Sequence, residues 1–205
     1  MRLLPCGTTA LLIELDSLED VLAMHAALVE NCPHGVVDLV PAARTVLVVA
    51  DRSRTSLATL AQALHSLRPR IGKRPPGELV QIPVRYDGAD LGEVAALLRC
   101  AAADVVRRHT AQEWTVAFCG FAPGFAYLTQ SGSAWDVPRR SAPRVSVPAG
   151  AVALAGEFSG VYPRASPGGW QLIGGTALTV FDLARTPPAL LRPGTRVRFV
   201  EVGAR

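Results

Sequence analysis

From Glu113 to the C-terminus the chain runs in short apolar stretches broken every few residues by Gly or Pro. That punctuation leaves an all-β barrel or sandwich as the architecture for this part. Strands are expected at 114–119, 151–155, 170–173, 177–183 and 195–200, with Pro193-Gly194 turning the chain before the last. The stretch Phe118-Cys-Gly-Phe-Ala-Pro-Gly-Phe-Ala-Tyr-Leu128 stands out, because it places three aromatic rings, Phe121, Phe125 and Tyr127, in what the glycines and proline mark as a loop. Such rings either cap a core or face a partner or ligand.

The first eighty residues follow another rhythm. Extended runs at 2–6 and 8–15 flank Gly7, and Ser17 opens a helix with Glu19 and Asp20 in its first turn. Strands at 36–40 and 45–50 follow, then a second helix capped by Ser53 with Leu57, Leu60, Leu64 and Leu67 inward, then a strand at 78–84. This order predicts a small two-layer sandwich of the ferredoxin-like kind over residues 1–81. Residues 68–77, rich in proline, form its exit, and a second domain spans 82–205. That domain starts with a helical hairpin: Asp90 caps a helix through Leu98 and a second runs over 102–109. A helix-turn-helix is the other reading of this pair, but Arg107, Arg108 and His109 alone would have to read bases, so packing on a sheet is favoured.

Charge and composition narrow the partners. The net charge of +4 arises wholly beyond residue 80, from arginines scattered among apolar strands rather than gathered in a run. That suits small anions or an acidic protein surface better than nucleic acid. The one lysine, Lys73, is followed by Arg-Pro-Pro, which rules out a Walker A phosphate loop. Cys6, Cys32, Cys100 and Cys119 are widely spaced, with no histidine placed for a zinc site, and no run of eighteen uncharged apolar residues exists. A cytoplasmic protein without a membrane span or resident metal is expected.

Two stretches carry candidate chemistry. In Val137-Pro-Arg-Arg-Ser-Ala-Pro-Arg144, Arg139 and Arg144 each follow a proline, which stiffens the approach of a guanidinium able to clamp carboxylate or phosphate. Both can equally brace loops. Gly168-Gly169 removes side chains where backbone amides can cradle an anion or another strand packs closely, and Gln171 adds an amide. His109, the one histidine in the second part, can carry a proton or stabilise a helix C-terminus.

Taken together, Gly120 to Leu128, Pro138-Arg139, Pro143-Arg144, Val147-Pro-Ala-Gly150, Tyr162-Pro163, Ser166-Pro-Gly-Gly-Trp-Gln-Leu-Ile-Gly174, Phe181-Asp182 and Pro193-Gly194 resemble one family. It is the B-type component of bacterial 5-oxoprolinase, also called allophanate hydrolase first subunit or Kip-type sporulation kinase inhibitor. The resemblance implies an α+β chain with a cyclophilin-like β-barrel after the ferredoxin-like domain, and C-type and A-type partner subunits. It further implies ATP, with magnesium and shared with a partner, in opening the lactam 5-oxoproline to glutamate. On its motifs Arg139 and Arg144 become anion clamps, Gly168, Gly169 and Gln171 donors, His109 a proton carrier, and Pro123, Gly124 and Phe125 the rim. An allophanate hydrolase subunit, an inhibitor of a sensor histidine kinase and a stand-alone binding module are the alternatives.

Overall fold

The computed structural model describes residues 1–69, 77–130 and 135–203. It divides into two compact units, Met1–Arg74 and Pro75–Arg205. Most of the exit segment expected at 68–77 lies outside the described residues.

The first unit is built from two hairpins and two helices. Strands β1 (Arg2–Cys6) and β2 (Ala10–Glu14) turn through Gly7 at φ 62°, and β3 (Val36–Pro41) pairs with β4 (Thr45–Ala50). The order is β1-β2-β4-β3, antiparallel throughout, with Pro5 confined to an edge strand. Helix α1 (Leu18–Glu30) starts where Ser17 Oγ accepts the Asp20 N–H at 3.1 Å, and it buries Val21, Met24 and Leu28 at helical spacing. Helix α2 (Leu57–Ser66) buries Leu60 and Leu64. These residues join Ile13, Val46 and Val48 in one core.

Two expectations for this unit need correcting. The cap of α2 is Ser56, whose Oγ accepts the Thr59 N–H at 3.0 Å; Ser53 donates its amide and hydroxyl to Asp51 in the turn before the helix. Ser56→Ala is therefore expected to cost about 1 kcal/mol of stability in urea denaturation, and Ser53→Ala clearly less. The α/β sandwich is present, but the strand expected as its last is not in it. That strand, β5 (Leu79–Val84), pairs in parallel with β13 (Arg196–Glu201) in the second unit. A boundary at 81/82 would cut through it.

In the second unit β5 leads into helices α3 (Leu91–Leu97) and α4 (Ala102–Thr110). Strands β6 (Trp114–Cys119), β7 (Ala126–Gln130), β8 (Arg144–Val147), β9 (Ala151–Ala155), β10 (Phe158–Val161), β11 (Ser166–Gly168) and β12 (Gln171–Gly175) follow before β13. Seven strands form one sheet in the order β12-β9-β10-β7-β6-β13-β5. Its two edges meet at Arg85 and Gly175, which exchange both backbone hydrogen bonds at 2.9 Å, so the sheet nearly closes into a barrel. Ile82, Trp114, Leu128, Leu154, Ile173 and Phe199 fill it, and Val94 and Val105 pack the helical hairpin against this core. The run 177–183 is not a strand: Val180 is buried and Phe181 makes one bridge to Ala189, but no ladder forms. Among the described residues no helix is long and apolar enough to cross a membrane.

Candidate functional site

Asp90 sits at the start of α3, but its side chain does not cap that helix. The carboxylate is buried, and it accepts three hydrogen bonds from residues far along the chain: Arg144 Nη2 at 2.7 Å, Arg140 Nη1 at 2.8 Å and the Leu172 N–H at 2.7 Å. Burial pushes its pKa up, yet Arg144, the Leu172 amide and Arg140 together hold it below the usual carboxylate range. The same pairing, chiefly the bond to Asp90, raises the Arg144 pKa further. Glu93, one turn on, lies 3.6 Å from Arg140.

Local structure explains why the arginines converge. Arg144 opens β8 opposite Gly168 of β11, and the Arg140 N–H donates to the Gly169 carbonyl at 2.8 Å. Gly168 has no room for a side chain, since a Cβ there would lie 2.2 Å from the Tyr162 hydroxyl. Gln171, buried in β12, donates Nε2 to the Pro138 carbonyl at 3.3 Å and to Glu93 at 3.5 Å. The two ion-paired arginines keep part of their surface in solvent, 30% for Arg140 and 24% for Arg144. Arg139 is exposed, and among the described residues its side chain has no hydrogen bond or ion pair.

The aromatic loop lies beside this cluster. Phe125 is buried and makes edge contacts with Tyr162, Trp170 and Tyr127 at centroid distances of 5.2 to 5.3 Å. It is the centre of a second core rather than a rim. The rim position belongs to Phe121, which is 60% exposed and takes φ 67°, a conformation uncommon for a residue with a bulky side chain. Gly124 at φ 81° lets the Phe181 ring close over it. Burial raises the phenol pKa of Tyr127 and of Tyr162, while the positive charge of Arg139 pulls both the other way.

His109 lies elsewhere. It is fully buried at the end of α4, with Nδ1 2.7 Å from the Tyr86 hydroxyl, Nε2 2.9 Å from Ser159 Oγ, and the Phe199 ring 4.2 Å away. Burial lowers its pKa to about 3, so the ring is neutral at ordinary pH and neither caps the helix as a cation nor shuttles protons to solvent. Cys119 is likewise turned inward, with its pKa raised by burial and its thiol 3.6 Å from the Leu191 carbonyl. That is not a nucleophile's setting.

The structure therefore gathers Arg144, Gly168, Gly169 and Gln171, adds Asp90, Arg140, Glu93 and Tyr162, leaves Arg139 exposed next to Arg140 in the chain, and sets His109 and Phe125 apart. An open groove of about 930 Å³ lies at the barrel seam, lined by Pro148, Gly150, Gly174, Gly175 and Thr176. Its charged residues, Arg85 and Asp87, pair with each other. The arginine cluster is the stronger candidate.

Comparison with known proteins agrees with this architecture. The family model described as carboxyltransferase domain, subdomain C and D, matches residues 1–191. The chain belongs to this family. It is similar to the B-type component of 5-oxoprolinase from Escherichia coli O157:H7, with 41% identity over 207 residues, 95% of this chain and 93% of the relative. The crystal structure of TTHA0988 is 38% identical, with a TM-score of 0.76; it is covered over 96% of this chain but only 40% of its own length. Kluyveromyces lactis urea carboxylase shares the fold at 17% identity, with a TM-score of 0.78 over 98% of this chain and 22% of the larger one.

Proposed function

We propose that this chain is the B-type component of an ATP-dependent 5-oxoprolinase, a hydrolase complex that opens a cyclic amide. The observation that carries the reading is the arginine cluster around Asp90, in a chain that matches the B-type component of a 5-oxoprolinase over nearly its whole length. Opening a lactam places negative charge on the carbonyl oxygen, and a substrate derived from an amino acid carries a carboxylate besides. Preorganised guanidiniums favour both. Arg140 and Arg144 are locked by Asp90 and lose little freedom when an anion arrives, while Arg139 supplies the charge that no carboxylate here offsets.

The residues of this chain fit the carboxylate better than the nucleotide. Among the described residues no group of three His, Cys, Asp or Glu is placed to hold a metal ion, and Asp90 and Glu93 already face arginines. The carboxylates of this cluster are engaged with arginines, so no step through magnesium-bound ATP is assigned to this chain. Phosphate release from ATP, measured for this chain alone and with both candidate partners, tests the proposal. Release only in the mixture, and only with 5-oxoproline present, is expected. Release that follows allophanate instead would move the chain to an allophanate hydrolase. No turnover with either substrate in a verified complex would remove the enzyme reading in favour of a binding or inhibitory role.

A further inference from the structure

Among the described residues, two guanidiniums of the cluster face two carboxylates, and a third, Arg139, faces none. Asp90 bridges Arg140 and Arg144, at 2.8 and 2.7 Å, and Glu93 stands 3.6 Å from Arg140. One net positive charge remains, on the exposed Arg139 next to Arg140 in the chain; the Tyr162 hydroxyl closes over Gly168, which lies opposite Arg144, and the Tyr162 ring meets the exposed Phe121 edge-on at a centroid distance of 6.3 Å. A polyphosphate brings several negative charges and needs several unpaired cations or a bound metal to offset them. A monocarboxylate needs one. The neighbouring rings add apolar surface for a small flat body, and each paired arginine keeps a buried donor without a partner among the described residues, Nε of Arg140 and Nη1 of Arg144.

We propose that Arg139, Arg140 and Arg144 form a receptor for a small planar monocarboxylate lying against Tyr162 and Phe121, and that Asp90 sets its preference for one negative charge over a polyphosphate. This deepens the hydrolase-subunit reading, on which the choice of carboxylate rests, by dividing the substrates: this chain takes the acid, and the nucleotide phosphates are held outside the cluster. Asp90 acts here as a positioning and charge-setting residue, not as one that touches the reacting atoms.

Isothermal titration of the full chain, alone and mixed with its partners, tests the division without turnover. The probes are 5-oxo-L-proline, 2-pyrrolidinone as the same ring without a carboxylate, inorganic pyrophosphate and magnesium ATP. Binding of 5-oxoproline should exceed that of pyrrolidinone, and Arg139→Ala should weaken it by about 10-fold or more. Pyrophosphate and magnesium ATP should show no binding that depends on Arg139. Asp90→Asn should shift the preference toward pyrophosphate, and Glu93→Gln, at a half-exposed position, tests the same charge effect if the buried substitution fails to fold. Pyrophosphate or ATP binding that is tighter than that of 5-oxoproline and lost in Arg139→Ala overturns the proposal. So does failure of 5-oxoproline to bind either the chain or the mixture. Selective carboxylate binding in a mixture that releases no phosphate would leave this inference standing while removing the hydrolase reading.

Discussion

Truncating His109 to alanine is expected to lower the unfolding free energy of the barrel unit by about 3 to 5 kcal/mol, read as a shift of its urea midpoint. The ring is fully enclosed, touches Phe199 and Trp114 at centroid distances of 4.2 and 5.0 Å, and satisfies both the Tyr86 and Ser159 hydroxyls. Alanine would leave a cavity and two unpartnered hydroxyls together. The same burial makes the fold sensitive to acid. The folded pKa of about 3 lies below the ordinary 6.5, so the unfolded chain binds the proton first. Stability from this residue is whole above pH 6.5 and is lost as pH falls from 6.5 toward 3, at up to about 1.4 kcal/mol per pH unit. Between pH 7 and pH 5 about 2 kcal/mol should go by this route. A His109→Gln protein, which cannot titrate there, should show a smaller loss over the same interval.

Removing the Asp90 side chain is expected to be nearly as damaging. Asp90→Ala leaves the Leu172 N–H and two guanidiniums without their shared acceptor. Deleting one partner of a fully buried ion pair typically costs about 3 to 5 kcal/mol; water reaching the partly open arginines reduces that to about 2 to 3 here. Asp90→Asn retains an acceptor for the amide and should cost less. A smaller midpoint shift for Asn than for Ala would show that the hydrogen bond and the charge act separately; equal shifts would mean that the negative charge alone holds the cluster.

Local chemistry in the sequence was enough to locate many elements. Ser17 with Glu19 and Asp20 marked α1, the β-branched and aromatic run at 114–119 marked β6, and the apolar run at 151–155 marked β9. Pairing over long distances was not visible. Strand β5 looks like the end of the first unit because its partner, β13, lies at the other end of the chain. The run 177–183 has the composition of a strand but among the described residues makes only the single bridge from Phe181 to Ala189, with the Phe181 side chain against Gly124. Of the site, the prolines drew notice to Arg139 and Arg144, and Gly168-Gly169 to a close approach. Arg140 carries no signal of its own there, and Asp90 reads as a helix cap. Nothing near Asp90 in sequence reveals that it answers to residues 140, 144 and 172, and only the doubled arginine at 139–140 hinted that a second guanidinium was in place.

The most direct test of the arginine cluster as part of an active site is kcat/KM for 5-oxoproline-dependent phosphate release by the reconstituted complex carrying Arg139→Ala. Arg139 is exposed and, among the described residues, unpaired, so the thermal midpoint should not move. A fall of about 10- to 100-fold with an unchanged midpoint is the expected result. Wild-type kcat/KM from a stable, fully assembled Arg139→Ala complex would contradict it and place the chemistry elsewhere.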